Sequence, residues 1–266
     1  NMKTRKITAF TMIVVVLLLA GCTEKNYPEG AVAVVNGALI DEQQIEKEML
    51  EREMSIAIGE KTRSLEPNSL TIKGAVIQSL DITEDELTPE QIRYIESRER
   101  SLARPLNKNE AFNILLRQEV LYQEAVKQGY EVSVDEAREI LEESKRISDE
   151  ALNGDKEALR KYKEIVKLST LIYKQYGFES EEDYLNKRID KIAKSIAISR
   201  MKNQFDKIMA EKLSESDGLQ LTIDISNAWD DYGEFLIDQA NIKILNSRYC
   251  IEFYGNQWNY GYLDLK

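Results

Sequence analysis

The sequence contains no histidine among its 266 residues. Histidine is the commonest general base near neutral pH and the commonest metal ligand in proteins. Its absence excludes the Ser-His-Asp and Cys-His arrangements of nucleophilic catalysis. The glycines are isolated along the chain, so a glycine-rich phosphate-binding loop is also missing. We therefore expect no catalytic residues, no metal site and no cofactor.

Cysteine is nearly absent as well, since only Cys22 and Cys250 occur. Any modification of Cys22 would leave Cys250 alone and exclude an intramolecular disulfide. Cys250 lies between Tyr249 and Ile251. This apolar setting favours a small buried side chain over a reactive thiol.

Proline is confined to positions 28, 67, 89 and 105. Because proline interrupts helices, the proline-free remainder of the chain favours long helices. Apolar residues three and four positions apart predict such helices over 107–128, 133–152, 155–176 and, as one rod, 181–213. Before Pro105 the same signals predict helices over 42–58 and 90–103, with a candidate strand over 71–80 between them.

The first strand signal follows position 30. Residues 31–35 are apolar and rich in valine, and the Asn36-Gly37 pair predicts a tight turn. Residues 38–40 are apolar again and form the expected return segment.

Further strand signals lie near the C-terminus. Apolar and polar residues alternate over 219–225, which predicts a strand, and a helix is expected over 229–239. Residues 242–245 read as a last strand. The tail over 246–266 is rich in tyrosine and tryptophan and is expected to form a hairpin or a loosely packed flap.

The N-terminus has the organisation of an export signal. Lys3, Arg5 and Lys6 precede an apolar run over 7–19 that is interrupted only by two threonines. This run is short for a membrane-spanning helix of about 20 residues. The alternative is a buried N-terminal helix that happens to end at a cysteine.

The end of this run, Leu19-Ala20-Gly21-Cys22, resembles the lipobox of bacterial lipoproteins. The resemblance implies a signal peptide over 1–21, a lipid on Cys22 and a polar tether over 22–30. It also implies that the chain is exported and is held at the outer face of the cytoplasmic membrane, on the cell surface.

The net charge limits the classes of partner that the chain can bind. Without the three basic residues of the leader, 33 Lys and Arg stand against 47 Asp and Glu, a net charge of −14. Such a chain repels nucleic-acid phosphates and anionic lipid headgroups, so we expect no nucleic-acid partner and membrane contact through the lipid alone. Clustered acids, as over 179–183, suit helix starts. A glycosidase-type carboxylate pair stays open, although no particular pair can be named.

Several aromatic and methionine side chains on the predicted helices are candidates for an adaptable apolar binding surface. The alternative for each of them is ordinary core packing. The main candidates for contact with a bound polypeptide are Phe112, Tyr122, Tyr162, Tyr173, Met201 and Phe205, and Tyr176, Tyr184 and Met209 share their character.

Two segments resemble the N-terminal chaperone domain of SurA- and PrsA-type foldases. Residues 31–41 read as a valine strand, Asn-Gly, an apolar pair and a helix cap. Residues 113–133 read as an apolar helix that leads through Gly129 and Val132-Ser133 into an acidic helix. The resemblance implies a mainly α, elongated chaperone module over 31–245, in which the strand at 31–35 pairs with the strand at 242–245.

The chain departs from this family at its catalytic domain. Only about fifteen residues separate Leu213 from Trp229, too few for a parvulin-type prolyl isomerase domain. The resemblance therefore implies a lipid-anchored protein that binds unfolded or partly folded exported polypeptides, with no isomerase activity. A rival hypothesis is an adaptor lipoprotein that binds one dedicated partner in an envelope or surface complex. An enzyme is a third alternative.

Overall fold

The computed structural model describes residues 27–63, 83, 86–213, 216, 218–253, 258 and 260–265. Within them the chain is mainly helical with a small antiparallel sheet, which confirms the predicted fold class. The strands are β1 (Ala31–Val35), β2 (Ala38–Asp41) and β3 (Ile242–Ile244). The helices are α1 (Glu42–Thr62), α2 (Pro89–Leu102), α3 (Lys108–Lys127), α4 (Val134–Leu152), α5 (Lys156–Gln175), α6 (Glu181–Lys187), α7 (Ile189–Lys212) and α8 (Gly218–Gln239). The export signal, Cys22 and the candidate strand over 71–80 lie outside the described residues.

The sheet joins the two ends of the described chain. Its order is β2-β1-β3, and Val35 pairs with Ala38 on one side and with Ile242 on the other. Asn36 and Gly37 both have positive φ, as a two-residue hairpin turn of this type requires. The predicted hairpin and the predicted pairing of the first and last strands are both confirmed.

The predicted helix starts follow from side-chain capping. Asp41 accepts a hydrogen bond from the backbone N–H of Gln44 while the Gln44 side chain accepts from the backbone of Asp41, which is a complete capping box. Asn107 begins α3 in the same way with Glu110. Ser133 caps α4 through its hydroxyl.

The predicted single rod over 181–213 is interrupted. Arg188 has φ −116° and ψ 8°, and it separates α6 from α7. Tyr184 packs with Tyr173 and Met54, whereas Ile189 belongs to the main core. Because Tyr184 and Ile189 are buried in different clusters, one straight helix would not place both side chains in their contacts.

The predicted strand over 219–225 is wrong, because this segment is the first part of α8. Leu219 and Ile223, four residues apart, are buried together against Ile95 of α2. Residues four apart share one side of a helix, so this contact fixes the helical period. The predicted helix over 229–239 continues the same α8.

The main core lies between the sheet and helices α3, α7 and α8. The tail is part of it, because Tyr249, Leu263 and Leu265 are buried there and Trp258 packs against the cluster. The described part of the tail contains no strand and packs into the core, so these residues form neither the hairpin nor the loosely packed flap that the sequence suggested. Cys250 is exposed instead of buried, since Tyr249 beside it takes the inward position.

Candidate functional site

Helices α4 and α5 form an arm, defined here as residues 134–175. α4 packs on α7 and α5 packs on α1, and the two helices make little contact with each other. Every residue of α4 is described, and Ala137 near its start is its only buried one. In α5, which is also fully described, only Ile172 and Tyr173 near its end are buried. The end of α4 and the start of α5 therefore stand away from the core.

Each helix of the arm carries an apolar stripe. Ile140 and Ile147 are seven residues apart in α4, and Tyr162 and Ile165 are three apart in α5, so each pair shares one side of its helix. A helix of a soluble protein normally buries such a stripe. Here Ile147 keeps 54% of its surface exposed and Tyr162 keeps 36%. The neighbouring side chains Ile140, Leu159, Ile165, Val166 and Leu168 are half-buried.

The two helices of the arm have opposite charge. α4 contains seven acidic and three basic residues, whereas α5 contains two acidic and six basic residues. Most of their ion pairs stay within each helix, as for Arg146 with Glu143 and Glu150 in α4, while Glu136 at the start of α4 pairs with Arg200 of α7. The hydrogen bond from Arg146 lowers the pKa of Glu143. A polypeptide on the arm would thus meet an acidic surface on one side and a basic surface on the other.

The base of the arm is a small aromatic cluster. Tyr184 of α6 stacks on Tyr173 with 5.0 Å between ring centroids, and Phe178 meets the Tyr184 ring edge-on, also at 5.0 Å. Met54 of α1 completes the cluster. Burial raises the pKa of Tyr184 to about 12, so its hydroxyl stays neutral. These contacts fix the end of α5 on the body while its start remains uncovered.

The structure separates the six main candidate residues into two groups. Phe112, Met201 and Phe205 are fully buried in the main core, and Tyr173 is buried in the base of the arm. These four side chains are packed interior and do not form a binding surface. Tyr122 is half-buried beneath the ammonium group of Lys194, and Tyr162 is exposed on the arm.

Phe205 is buried by aromatic packing between α7 and α8. Phe205 meets Trp229 at 5.0 Å and Tyr232 at 5.5 Å between ring centroids, and Trp258 of the tail covers it from a third side. Tyr184 and Met209 are buried as well, and Tyr176 is half-buried. On the arm, the exposed large apolar residues that the candidate set omitted are Ile147 and Leu171. The sequence could have indicated Ile147, because it recurs with Ile140 at helical spacing among the apolar residues of α4.

A groove of about 280 Å³, with many charged residues in its lining, lies between α1, α3 and α7. Its charged groups neutralise one another, because Lys191 reaches Glu51 at 2.6 Å and Lys194 reaches Glu119 at 2.7 Å. The floor includes the apolar side chain of Leu115. Such mutually paired charges stabilise the junction of the helices.

Neither metal binding nor membrane crossing finds support in the described residues. They contain no group of three or more side chains that could hold a metal ion. In the same part of the chain, no helix has the length and apolarity that a membrane crossing requires. Comparison with protein-family models, with curated proteins and with solved structures gives no match.

Proposed function

We propose that this protein is a lipid-anchored, extracytoplasmic chaperone-like protein that binds unfolded or partly folded polypeptides on the arm. The observation that carries the proposal is the uncovered apolar stripe of the arm, with Ile147 54% exposed and Tyr162 36% exposed on helices that project from the body. An uncovered stripe on a projecting element is a surface suited to another polypeptide.

The energetics of the arm suit weak and reversible binding. An unfolded segment would bury apolar surface against the stripe at about 25 cal/mol per Å². The segment would lose conformational freedom at the same time, which offsets much of this gain. Serine and alanine share the stripe with isoleucine in α4, as at Ser144 and Ala151. Such a shallow surface accepts side chains of many shapes.

The sequence supports the location and the class of partner. The lipobox-like Leu19–Cys22 favours a diacyl anchor, and two acyl chains make attachment to a membrane stable. The resemblance of 31–41 and 113–133 to foldase chaperone domains favours exported polypeptides as the ligand. The short connection between α7 and α8 leaves no room for a parvulin domain, so the proposal excludes prolyl isomerase activity.

The test is suppression of aggregation by the purified chain. We expect the protein to slow light scattering by an unrelated, heat-denatured enzyme, and the double variant Ile147→Glu/Tyr162→Glu to lose most of this effect. Leu102→Glu is the matched control, because Leu102 of α2 is also 54% exposed but lies outside the arm. Equal activity of the arm variant and the wild type would overturn the proposal.

Two further measurements separate the alternatives. Binding to several unrelated unfolded polypeptides supports the chaperone, whereas one tight partner and no general binding supports the adaptor. Acceleration of proline isomerisation by the pure protein would contradict the non-enzymatic part of the proposal.

A further inference from the structure

The C-terminal segment is held to α3 through its backbone by side-chain amides. Asn113 donates to the carbonyl of Cys250 over 3.0 Å and accepts from the N–H of Glu252 over 2.9 Å. Gln128, which follows the last residue of α3, donates to the carbonyl of Leu263 over 3.0 Å and accepts from the N–H of Leu265 over 3.1 Å. Each amide thus binds a carbonyl and the N–H two residues later.

This pattern is the one that an extended chain offers to a neighbour, because its backbone groups repeat with a period of two residues. The side chains follow the same period. Leu263 and Leu265 are buried, whereas Tyr262 before them and Asp264 between them are exposed. The segment therefore binds as a short strand does, although its partner is a helix end.

The amide of Gln128 is buried and held in place. It donates to the carboxylate of Glu124 over 2.7 Å, and the hydroxyl of Tyr262 donates to the same carboxylate oxygen over 2.6 Å. The ammonium group of Lys127 lies 4.3 Å from the centre of the Tyr262 ring. Tyr130 donates its hydroxyl to the carbonyl of Leu265. The hydrogen bond between Gln128 and Glu124, and the ion pair of Lys127 with Glu124 at 3.6 Å, lie within the end of the helix itself and do not depend on the C-terminal segment.

We infer that the end of α3, formed by Glu124, Lys127, Gln128 and Tyr130, is a binding site for an extended polypeptide with apolar side chains two residues apart. Residues 260–265 occupy this site as an intramolecular ligand. The hydrogen bonds of Gln128 and Tyr130 to Leu263 and Leu265 go to backbone atoms, so those bonds do not select a sequence, whereas Gln128 also lies 2.7 Å from the Tyr262 hydroxyl. Selection comes from the apolar side chains and from the ring beside Lys127.

A cavity of about 370 Å³ next to Tyr262 supports a wider ligand class. It lies between α3 and α8, with Val120, Phe235 and Leu236 among its lining residues. An aromatic side chain larger than tyrosine at this position would find apolar contacts there. The site uses residues different from those of the arm, so it goes beyond the function proposed above and does not depend on it.

The test uses the full chain and a labelled peptide with the sequence of residues 260–265, Tyr-Gly-Tyr-Leu-Asp-Leu. In the wild type the attached segment competes at millimolar effective concentration, so we expect weak binding. The double variant Leu263→Ser/Leu265→Ser weakens that competitor. We expect it to bind the peptide about tenfold or more tightly than the wild type does, as measured by fluorescence anisotropy.

Two controls decide the reading of this experiment. A peptide with serine in place of both leucines should not bind. Adding Gln128→Met to the double variant should weaken binding by about tenfold, because both backbone hydrogen bonds are lost. A folded double variant that does not bind, or binding that Gln128→Met leaves unchanged, overturns the inference.

Hydrogen exchange of the wild type covers the case in which the double variant does not fold. We expect the amide of Leu265 to exchange at least about tenfold faster than the interior amides of α3, because the segment detaches locally. Exchange of Leu265 at the same rate as the α3 interior would show that the segment leaves only on global unfolding, and would overturn the inference.

Discussion

Arg188 donates a hydrogen bond to the carboxylate of Glu51 over 2.7 Å, and this ion pair joins the break between α6 and α7 to the middle of α1. Only 9% of the Glu51 side chain and 19% of the Arg188 side chain are exposed. The pair holds the base of the arm to the body.

We expect Arg188→Met to lower the free energy of unfolding by about 3 kcal/mol, because it leaves a buried carboxylate with one partner fewer. Lys191, at 2.6 Å from Glu51, limits the loss. Urea denaturation measures the change. Arg146→Met is the control, since its ion pairs are exposed to solvent and their loss should change stability far less. Equal effects of the two variants would contradict a structural role for the buried pair.

Gly37 and Gly59 form a matched pair of glycine positions. A Cβ atom would meet nothing within 4 Å at either one, but Gly37 has φ +99° in the β1–β2 turn, whereas Gly59 is inside α1. We expect Gly37→Ala to destabilise the fold by about 1 kcal/mol through backbone strain. Gly59→Ala should stabilise it by about 0.5 kcal/mol. Thermal unfolding of both variants gives the two signs, and a stable Gly37→Ala would argue against the turn described here.

Gly233 in α8 leaves space that the side chain of Arg117 from α3 occupies. A Cβ atom at this position would lie 2.6 Å from a guanidinium nitrogen that donates to the carbonyls of Trp229 and Asp230. We expect Gly233→Ala to destabilise the wild type by about 1–2 kcal/mol, since it displaces these hydrogen bonds. In an Arg117→Met background the same change should stabilise by about 1 kcal/mol, as alanine normally does in a helix. A double-mutant cycle in urea measures this reversal, and additive effects would contradict the contact.

Glu42 makes stability depend on acid pH. The hydrogen bond from the Tyr249 hydroxyl lowers the pKa of Glu42 below its ordinary value of 4.5, and Lys108 lowers it further. A carboxylate with a lowered folded pKa stabilises the protein above its unfolded pKa, and this contribution is lost as the pH falls through the folded value. We expect Glu42→Gln to cost about 1–2 kcal/mol at pH 7. The difference from wild type should shrink on acidification below pH 4.5 in urea titrations, and a difference independent of pH would refute the assignment.

Local signals predicted the elements whose cause is local. Asn36-Gly37 has the backbone that its turn requires, and Asp41 with Gln44 forms the expected capping box. The prediction of a strand over 219–225 was wrong because apolar residues two apart, which suit a strand, also include pairs four apart, which suit a helix. The contact of Leu219 and Ile223 with α2 decided between the two periods, and that contact is not local.

The binding surface was harder to predict because burial depends on distant residues. The sequence offered Phe205 as a candidate contact residue. In the structure its ring is covered by Trp229 and Trp258, which lie 24 and 53 residues further along the chain. Ile147 looked equally apolar, but no element of the described chain covers it. The amides of Asn113 and Gln128 carried no signal at all, since glutamine and asparagine on a helix are ordinary surface residues.

The central position of β1 in the sheet has a consequence for biogenesis. Its partner β3 lies roughly two hundred residues further along the chain, so a nascent polypeptide emerging N-terminus first has only β2 available for pairing. One edge of β1 stays open until synthesis has passed residue 244, and an open strand edge invites misassembly with other chains. Closure over such a separation is also slow in entropic terms. Completion of this sheet during biogenesis thus waits for the synthesis of β3.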